Sequence, residues 1–245
     1  MISKTLEDWI GKGDSLFKRK QYSEAIRCYD NVLNIIPKNF HALINKGLAL
    51  RNLSNYEEAI KCYDVVLELD PKNIIALSNK AVALAILKQF KKAIDCFDVI
   101  LGLDPKNPHH WHNKGAALAG LNRYGDAMEC YDNALQLDPD DVDAWFNKGN
   151  SFAALRQYES AISCYESALK INPQDISSLI NKGIALRAQH QYEKAVECFD
   201  RALQLDPDRY DVWHNKASAL QELGKHDEAK KCYRESQRLI SGASK

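Results

Sequence analysis

Seven cysteines stand at positions 28, 62, 96, 130, 164, 198 and 232, each 34 residues after the last. Six prolines, at 37, 71, 105, 139, 173 and 207, keep the same interval. A strict period without insertions means that one short segment is copied seven times along the 245 residues. A segment of that length cannot bury an apolar face alone. It must stack on its neighbours, so the chain folds as a linear array with a long working surface rather than one central cleft.

Placing the proline at position 32 puts the repeats at 6–39, 40–73, 74–107, 108–141, 142–175, 176–209 and 210–243, within a single array spanning 1–245. Proline disfavours helix in the residue before it, so each one marks a stop. Two residues later stand Asn39, Asn73, Asn107, Asp141 and Asp175, which suit an N-cap of the next helix; Arg209 breaks this pattern. In the second repeat Leu43, Gly47, Leu50 and Leu53 recur at helical spacing. The polar pair Ser54-Asn55 interrupts the run, and Tyr56, Ala59, Ile60, Tyr63, Val66 and Leu67 then trace a second amphipathic helix. Each repeat therefore reads as a helical hairpin. Gly13, Gly47, Gly115, Gly149 and Gly183, with Ala81 and Ala217, share one position in the first helix. Mid-helix glycine costs about 1 kcal/mol relative to alanine. Its return at this position implies an approach too close for a Cβ.

Charge is balanced, with 33 basic and 33 acidic residues, which argues against nucleic acid or an anionic membrane as the main partner. No apolar run approaches membrane-spanning length. Met1-Ile2-Ser3-Lys4 leads into a helical pattern without a signal segment, so the expected location is the cytoplasm. One cysteine per repeat cannot pair within its repeat. Equivalent points on successive repeats lie about 10 Å apart or more, whereas a disulfide needs Cα atoms within about 7 Å. The cysteines read as packing residues, with a redox or metal role as the alternative.

These positions resemble the tetratricopeptide repeat from residue 6 to about 240. Trp9, Leu43, Leu77, Trp111, Trp145, Leu179 and Trp213 match its first position; Ala25, Ala59, Ala93, Ala127, Ala161, Ala195 and Ala229 match its alanine. Tyr29, Tyr63, Phe97, Tyr131, Tyr165, Phe199 and Tyr233 match its second-helix aromatic. The resemblance implies an all-α fold: a right-handed superhelical α-solenoid of helix-turn-helix repeats, with ligands lying against the first helices on its concave side. One departure is systematic. Where the family usually has Leu, this chain has Lys12, Lys46, Lys80, Lys114, Lys148, Lys182 and Lys216. The Asn-Lys-Gly string is similar to repeats common in methanogenic archaeal and some bacterial members. These lysines read as stems covering the seam between repeats, or as a row of cations meeting an acidic partner. Lys230 and Gln237 replace apolar residues in the seventh repeat, which reads as capping itself.

By that resemblance, positions 2, 5, 6, 9, 12 and 13 of each repeat line the groove. Position 6 is Asn45, Asn79, Asn113, Asn147, Asn181 and Asn215, a column whose amides can hold a peptide backbone, or are simply the family's usual residue. The apolar candidates are Ile44, Leu48, Ile75, Val82, Phe146, Ile180 and Ile184, with Asn150 among them. Small residues such as Ala85, Ala116, Gly120 and Ala153 leave room beside them. Positions 2 and 5 carry no Lys or Arg, which excludes the cationic clamp of chaperone-binding relatives. Arg51 and Arg187, at position 12, could each meet an isolated carboxylate. His109 and His112 could share a helix face, but no third metal ligand is near, so groove contact is the favoured reading.

No phosphate loop, nucleophile elbow or zinc-protease motif is present. The sequence therefore leads to a non-enzymatic scaffold, without cofactor or metal, that binds an apolar or amphipathic protein segment. The alternatives are a self-assembling homo-oligomer, or a regulatory or substrate-docking subunit of an enzyme on another chain.

Overall fold

A computed structural model describes residues 2–242. The expected end of the seventh repeat at residue 243 lies outside them. Among the described residues there are fourteen helices and no strand. The first helices of the repeats are α1 (Ile2–Lys18), α3 (Phe40–Asn52), α5 (Ile74–Ile86), α7 (Pro108–Gly120), α9 (Val142–Ala154), α11 (Ile176–Ala188) and α13 (Tyr210–Glu222). The second helices are α2 (Tyr22–Ile35), α4 (Tyr56–Leu69), α6 (Phe90–Leu103), α8 (Tyr124–Leu137), α10 (Tyr158–Ile171), α12 (Tyr192–Leu205) and α14 (His226–Gly242).

The chain divides into two compact units, one ending at Arg123 and the other beginning at Tyr124. In the first, α1 packs on α2, α3 on α4 and α5 on α6; each second helix then packs on the following first helix. The first helices also touch one another in order, α1 with α3 and α3 with α5, then α5 with α7. In the second unit α9–α10, α11–α12 and α13–α14 form hairpins stacked in the same way, with α8 against α9.

Local chemistry sets these boundaries. Asn39, Asn73, Asp141 and Asp175 each accept a hydrogen bond from the backbone N–H three residues on, and Asn107 accepts from that of His109. Arg209 makes no such cap; it forms a bidentate pair with Asp211 at 2.7–2.9 Å. Between the helices of a hairpin the backbone turns through one left-handed residue: Lys20, Ser54, Lys88, Asn122, Arg156, His190 or Gly224. There the N–H of Asn55, for example, reaches back to the Leu50 carbonyl at 2.9 Å and closes α3.

In four of the hairpins the core is an aromatic ring lying on a glycine of the first helix. Tyr29, Tyr63, Phe97, Tyr165 and Phe199 are fully or almost fully buried. A Cβ on Gly47 would stand 2.5 Å from the Tyr63 ring, and Cβ atoms on Gly149 and Gly183 would stand 2.6 Å from Tyr165 and Phe199. Glycine here is what lets the ring lie flat on the first helix. All seven cysteines are buried and free, and burial pushes the thiol of Cys164 up to about 11. They are thiols packed among alanines, less exposed than a half-buried position would be.

The seams between repeats carry a polar ladder of lysine and acid. Lys46 meets Asp30 at 2.6 Å, Lys80 meets Asp64 at 2.5 Å and Lys114 meets Asp98 at 2.6 Å. In the second unit Lys148 pairs with Asp132, Lys182 with Glu166 at 2.8 Å and Lys216 with Asp200 at 2.5 Å. Lys114, Lys148 and Lys216 also lie over the rings of Trp111, Trp145 and Trp213. The indole N–H of each of those tryptophans donates to a proline carbonyl of the preceding turn at 2.8–3.0 Å. The lysine row belongs to the seams. With one end of each pair in water, a rung contributes about 0–1 kcal/mol.

His110 is an exception to the repeat. It is 7% exposed at a position where Ala42, Ala76 and Ala144 are fully buried, and its Nδ1 has no hydrogen-bond partner. Burial lowers its pKa below the usual 6.5, with a smaller lowering from His109, while Asp104 acts in the opposite direction.

Two outcomes follow from this packing. Gly183→Ala forces a Cβ against Phe199 and should lower stability by about 1–2 kcal/mol despite the better helix propensity. Gly102→Ala, with nothing within 4 Å of its Cβ, should gain up to about 1 kcal/mol. Urea denaturation of the two variants decides the sign. Below pH 6.5 the unfolded chain takes up a proton at His110 that the folded chain resists, so stability present above 6.5 is lost on acidification. Thermal melts across that range should show a shallower pH dependence for His110→Ala than for the parent.

Candidate binding face

In the first unit the candidate residues lie on α3, α5 and α7, and in the second on α9, α11 and α13. Each unit has a cavity on this face that opens where position 12 of a repeat is alanine. The cavity in the first unit, about 300 Å³, is lined by Val82, Ala85, Ile86, Phe90, Asn113 and Ala116, among others. The cavity in the second, about 180 Å³, is lined by Asn150, Ala153, Tyr158, Tyr165, Asn181 and Ile184, with Ala185. The first is apolar around a single amide; the second brings two amides and two tyrosines together. Gly120 permits the first arrangement, since a Cβ there would stand 2.6 Å from the Phe90 ring.

The structure thus brings Val82 and Asn113 into one cavity and Asn150, Asn181 and Ile184 into the other. Ile75 is 58% exposed and presents an open apolar side chain. Ile44 and Leu48 are partly buried, Ile44 leaning on the core around Tyr63. Phe146 packs on Tyr165 with ring centroids 6.0 Å apart. His109 is exposed and His112 partly so. Ile180 is a correction: at 7% exposure it is a core residue beside Leu179 and Phe199, with little surface left for a ligand. Packing on the next first helix covers it, which groove position alone does not reveal.

The asparagines are half-buried and mostly engaged within the protein. Asn45 Nδ2 lies 2.9 Å from His41 Nε2 and 3.4 Å from Asp14 Oδ1. Asn79 donates to the Ile75 carbonyl at 2.8 Å and accepts from Arg51 at 3.0 Å. Asn181 donates to Asn150 at 2.8 Å, and Asn215 to the Asp211 carbonyl at 2.9 Å. Each such amide keeps part of its donor and acceptor capacity, and its orientation is set before any ligand arrives. Arg187 is partly exposed on α11.

Asp14 was missed from sequence, and Asn150 was named without its bond to the buried tyrosine. Asp14, at position 9, accepts from the Tyr29 hydroxyl at 2.9 Å and meets His41 at 3.0 Å. Asn150, at the same position in the fifth repeat, accepts from the Tyr165 hydroxyl at 2.8 Å. A polar position 9 therefore joins the buried tyrosine of its own repeat to the asparagine of the next. Where position 9 is apolar, at Val82 and Ile184, the aromatic is Phe97 or Phe199 and has no hydroxyl to satisfy. This pairing between positions 9 and 24 could have been found by reading the two columns together. The second and fourth repeats break it: Ala116 accompanies Tyr131, and Leu48 accompanies Tyr63, whose buried hydroxyl has no partner among the described residues.

Removing that hydroxyl should therefore cost nothing. Tyr63→Phe is expected to leave stability unchanged or raise it by about 1 kcal/mol, while Tyr165→Phe loses about 1 kcal/mol with the bond to Asn150. Chemical denaturation of the two variants makes the comparison.

Tetratricopeptide repeat models match residues 41–73, 142–175 and 176–209, and a second such model matches 198–231. A TPR repeat model matches 120–155, and together the matches span more than half of the chain. No curated protein matches the chain in sequence. Among solved structures, a tetratricopeptide repeat protein from Parabacteroides merdae superposes with a TM-score of 0.77 at 16% identity, over 96% of this chain and 93% of that one. MamA from Desulfovibrio magneticus RS-1 gives 0.67 at 20% identity, over 70% and 97%. YrrB, described as a TPR protein with an unusual peptide-binding site, gives 0.62 at 23% identity, over 77% and 97%. These likenesses concern the fold. With the in-register repeats, buried aromatic-on-glycine hairpins and family matches, the chain belongs to the tetratricopeptide repeat family.

Proposed function

We propose that this chain is a non-enzymatic scaffold that holds a polypeptide segment along the face of its first helices. One observation carries the reading: each unit has, on that face, a cavity of side-chain size bordered by an asparagine amide. Such a pairing suits an extended or helical segment, with an apolar side chain in the cavity and its polar backbone or neighbours on the amide. The exposed Ile75 and Ile86 extend the apolar surface beside the first cavity. The peptide-binding site named for YrrB adds a precedent within the same fold. Among the described residues no helix is long and apolar enough to cross a membrane.

Self-assembly by end-on stacking is the weaker reading. Every seam pairs a lysine with an acid, but the seventh repeat has Arg234 where six others have Asp or Glu, so an end-on copy would set Lys12 against a cation. Docking of substrates for an enzyme on another polypeptide would use the same face.

Peptides selected by phage display on the intact chain provide the test. Ala85→Phe fills the first cavity and should weaken binding of the selected peptides at least about tenfold, equivalent to losing one good apolar anchor. Asn113, Asn147 and Asn181 changed together to Ala should weaken them further, with far-UV circular dichroism unchanged. Full binding by a folded triple variant refutes the role of the asparagine column, and full binding by folded Ala85→Phe refutes the cavity.

A further inference from the structure

The second repeat lacks something that the first contains. In the first, the Asp14 carboxylate sits at the centre of a polar cluster: it accepts from the Tyr29 hydroxyl at 2.9 Å, faces His41 Nε2 at 3.0 Å and lies 3.4 Å from Asn45 Nδ2. One repeat further on, the surrounding groups recur. Tyr63 replaces Tyr29, Asn79 replaces Asn45, and Arg51 brings a cation to the same neighbourhood. The central carboxylate does not recur, because position 9 is Leu48.

The groups left behind are unsatisfied in a consistent way. Tyr63 is fully buried and its hydroxyl has no hydrogen-bond partner. Burial pushes its pKa above the ordinary phenol value, with Arg51 acting in the opposite direction, so it remains an O–H donor in need of an acceptor. Among the described residues the Arg51 side chain makes one hydrogen bond, to the neutral Asn79 side chain at 3.0 Å, and no ion pair. A guanidinium has five N–H donors, so most of this one's capacity is unused. The flanking lysines do not share that condition, since Lys46 and Lys80 already hold Asp30 and Asp64. Leu48 lies one turn before Arg51 on α3 and Ile75 one turn before Asn79 on α5, and apolar neighbours of this kind strengthen a charge-assisted bond.

We propose that Arg51, held by Asn79 on the first-helix face, forms a seat for a carboxylate side chain of the bound segment. This rests on the reading that the first-helix face binds a polypeptide, and it names the chemistry of the segment: an Asp or Glu flanked by apolar residues. Charge complementarity selects this occupant. Arg51 offers a cation with unused N–H donors, whereas the neighbouring lysines are already paired.

The test is selection of random peptides by phage display on the intact protein, followed by fluorescence anisotropy of the peptides recovered. An Asp or Glu should recur at one position, and its replacement by Gln or Asn should weaken binding at least about tenfold. Arg51→Gln should erase that preference, and Arg51→Glu should invert it toward Lys or Arg. Leu48→Asp supplies a carboxylate from within and should also erase it. Circular dichroism and thermal melts establish that each variant is folded, and the peptide-side exchange of Glu for Gln needs no variant at all. Peptides without a required acid, or an acid preference that survives in Arg51→Gln, overturn the carboxylate seat alone. Failure of the parent protein to select any peptide overturns the binding reading itself and the seat with it.

Discussion

Everything in this molecule rests on a buried aromatic ring lying on a first helix that has no room for a side chain. The Tyr63 ring comes so close to Gly47 that even a methyl group would collide, and Tyr165 and Phe199 repeat the contact on Gly149 and Gly183. A ring held this way fixes how near the two helices of a hairpin approach. It also fixes how deeply the phenol oxygen reaches toward the face formed by successive first helices. That depth turns position 9 into a chemical choice. Asp14 and Asn150 satisfy a tyrosine, Val82 and Ile184 accompany a phenylalanine, and Leu48 leaves a hydroxyl stranded.

The seams follow a different logic. Each is closed by a lysine reaching back to an acid on the preceding second helix and, in several repeats, by an indole bonded to a proline carbonyl. These contacts are repeated rather than strong, and they consume the regularly spaced cations of the chain. A cation outside the ladder, such as Arg51, is conspicuous for that reason. The lysines bind the array to itself, and whatever discriminates among partners is left to the irregular residues on the first-helix face.

Much of this was legible in sequence. The period, the capping residues Asn39, Asn73, Asp141 and Asp175, and the need for small residues at the glycine position all appear as expected, since each is a local rule of helix geometry. The acids at 30, 64, 98, 132, 166 and 200 were visible too, each sixteen residues before a lysine, without a sign that the two meet. Their pairing depends on how one repeat leans on the next, which helical periodicity within a repeat does not describe. The asparagine column was read as amides able to hold a peptide backbone, or as the family's usual residue; the structure has several oriented by His41, Arg51, Asn150 or a backbone carbonyl. Ile180 looked like a groove residue and is core, covered by its neighbours.

By itself, then, the sequence determined the kind of fold and its register. Proline, glycine and capping residues act within a few positions of themselves, and a constant 34-residue beat propagates that local information along the chain. Only the tertiary structure decided which side chains of that frame are still available. Availability depends on contacts between residues thirty or so positions apart, such as Asn181 with Asn150 or His41 with Asp14. It is there, where the Tyr63 hydroxyl and the Arg51 guanidinium lack the carboxylate that a neighbouring repeat provides, that the chain departs from its own pattern.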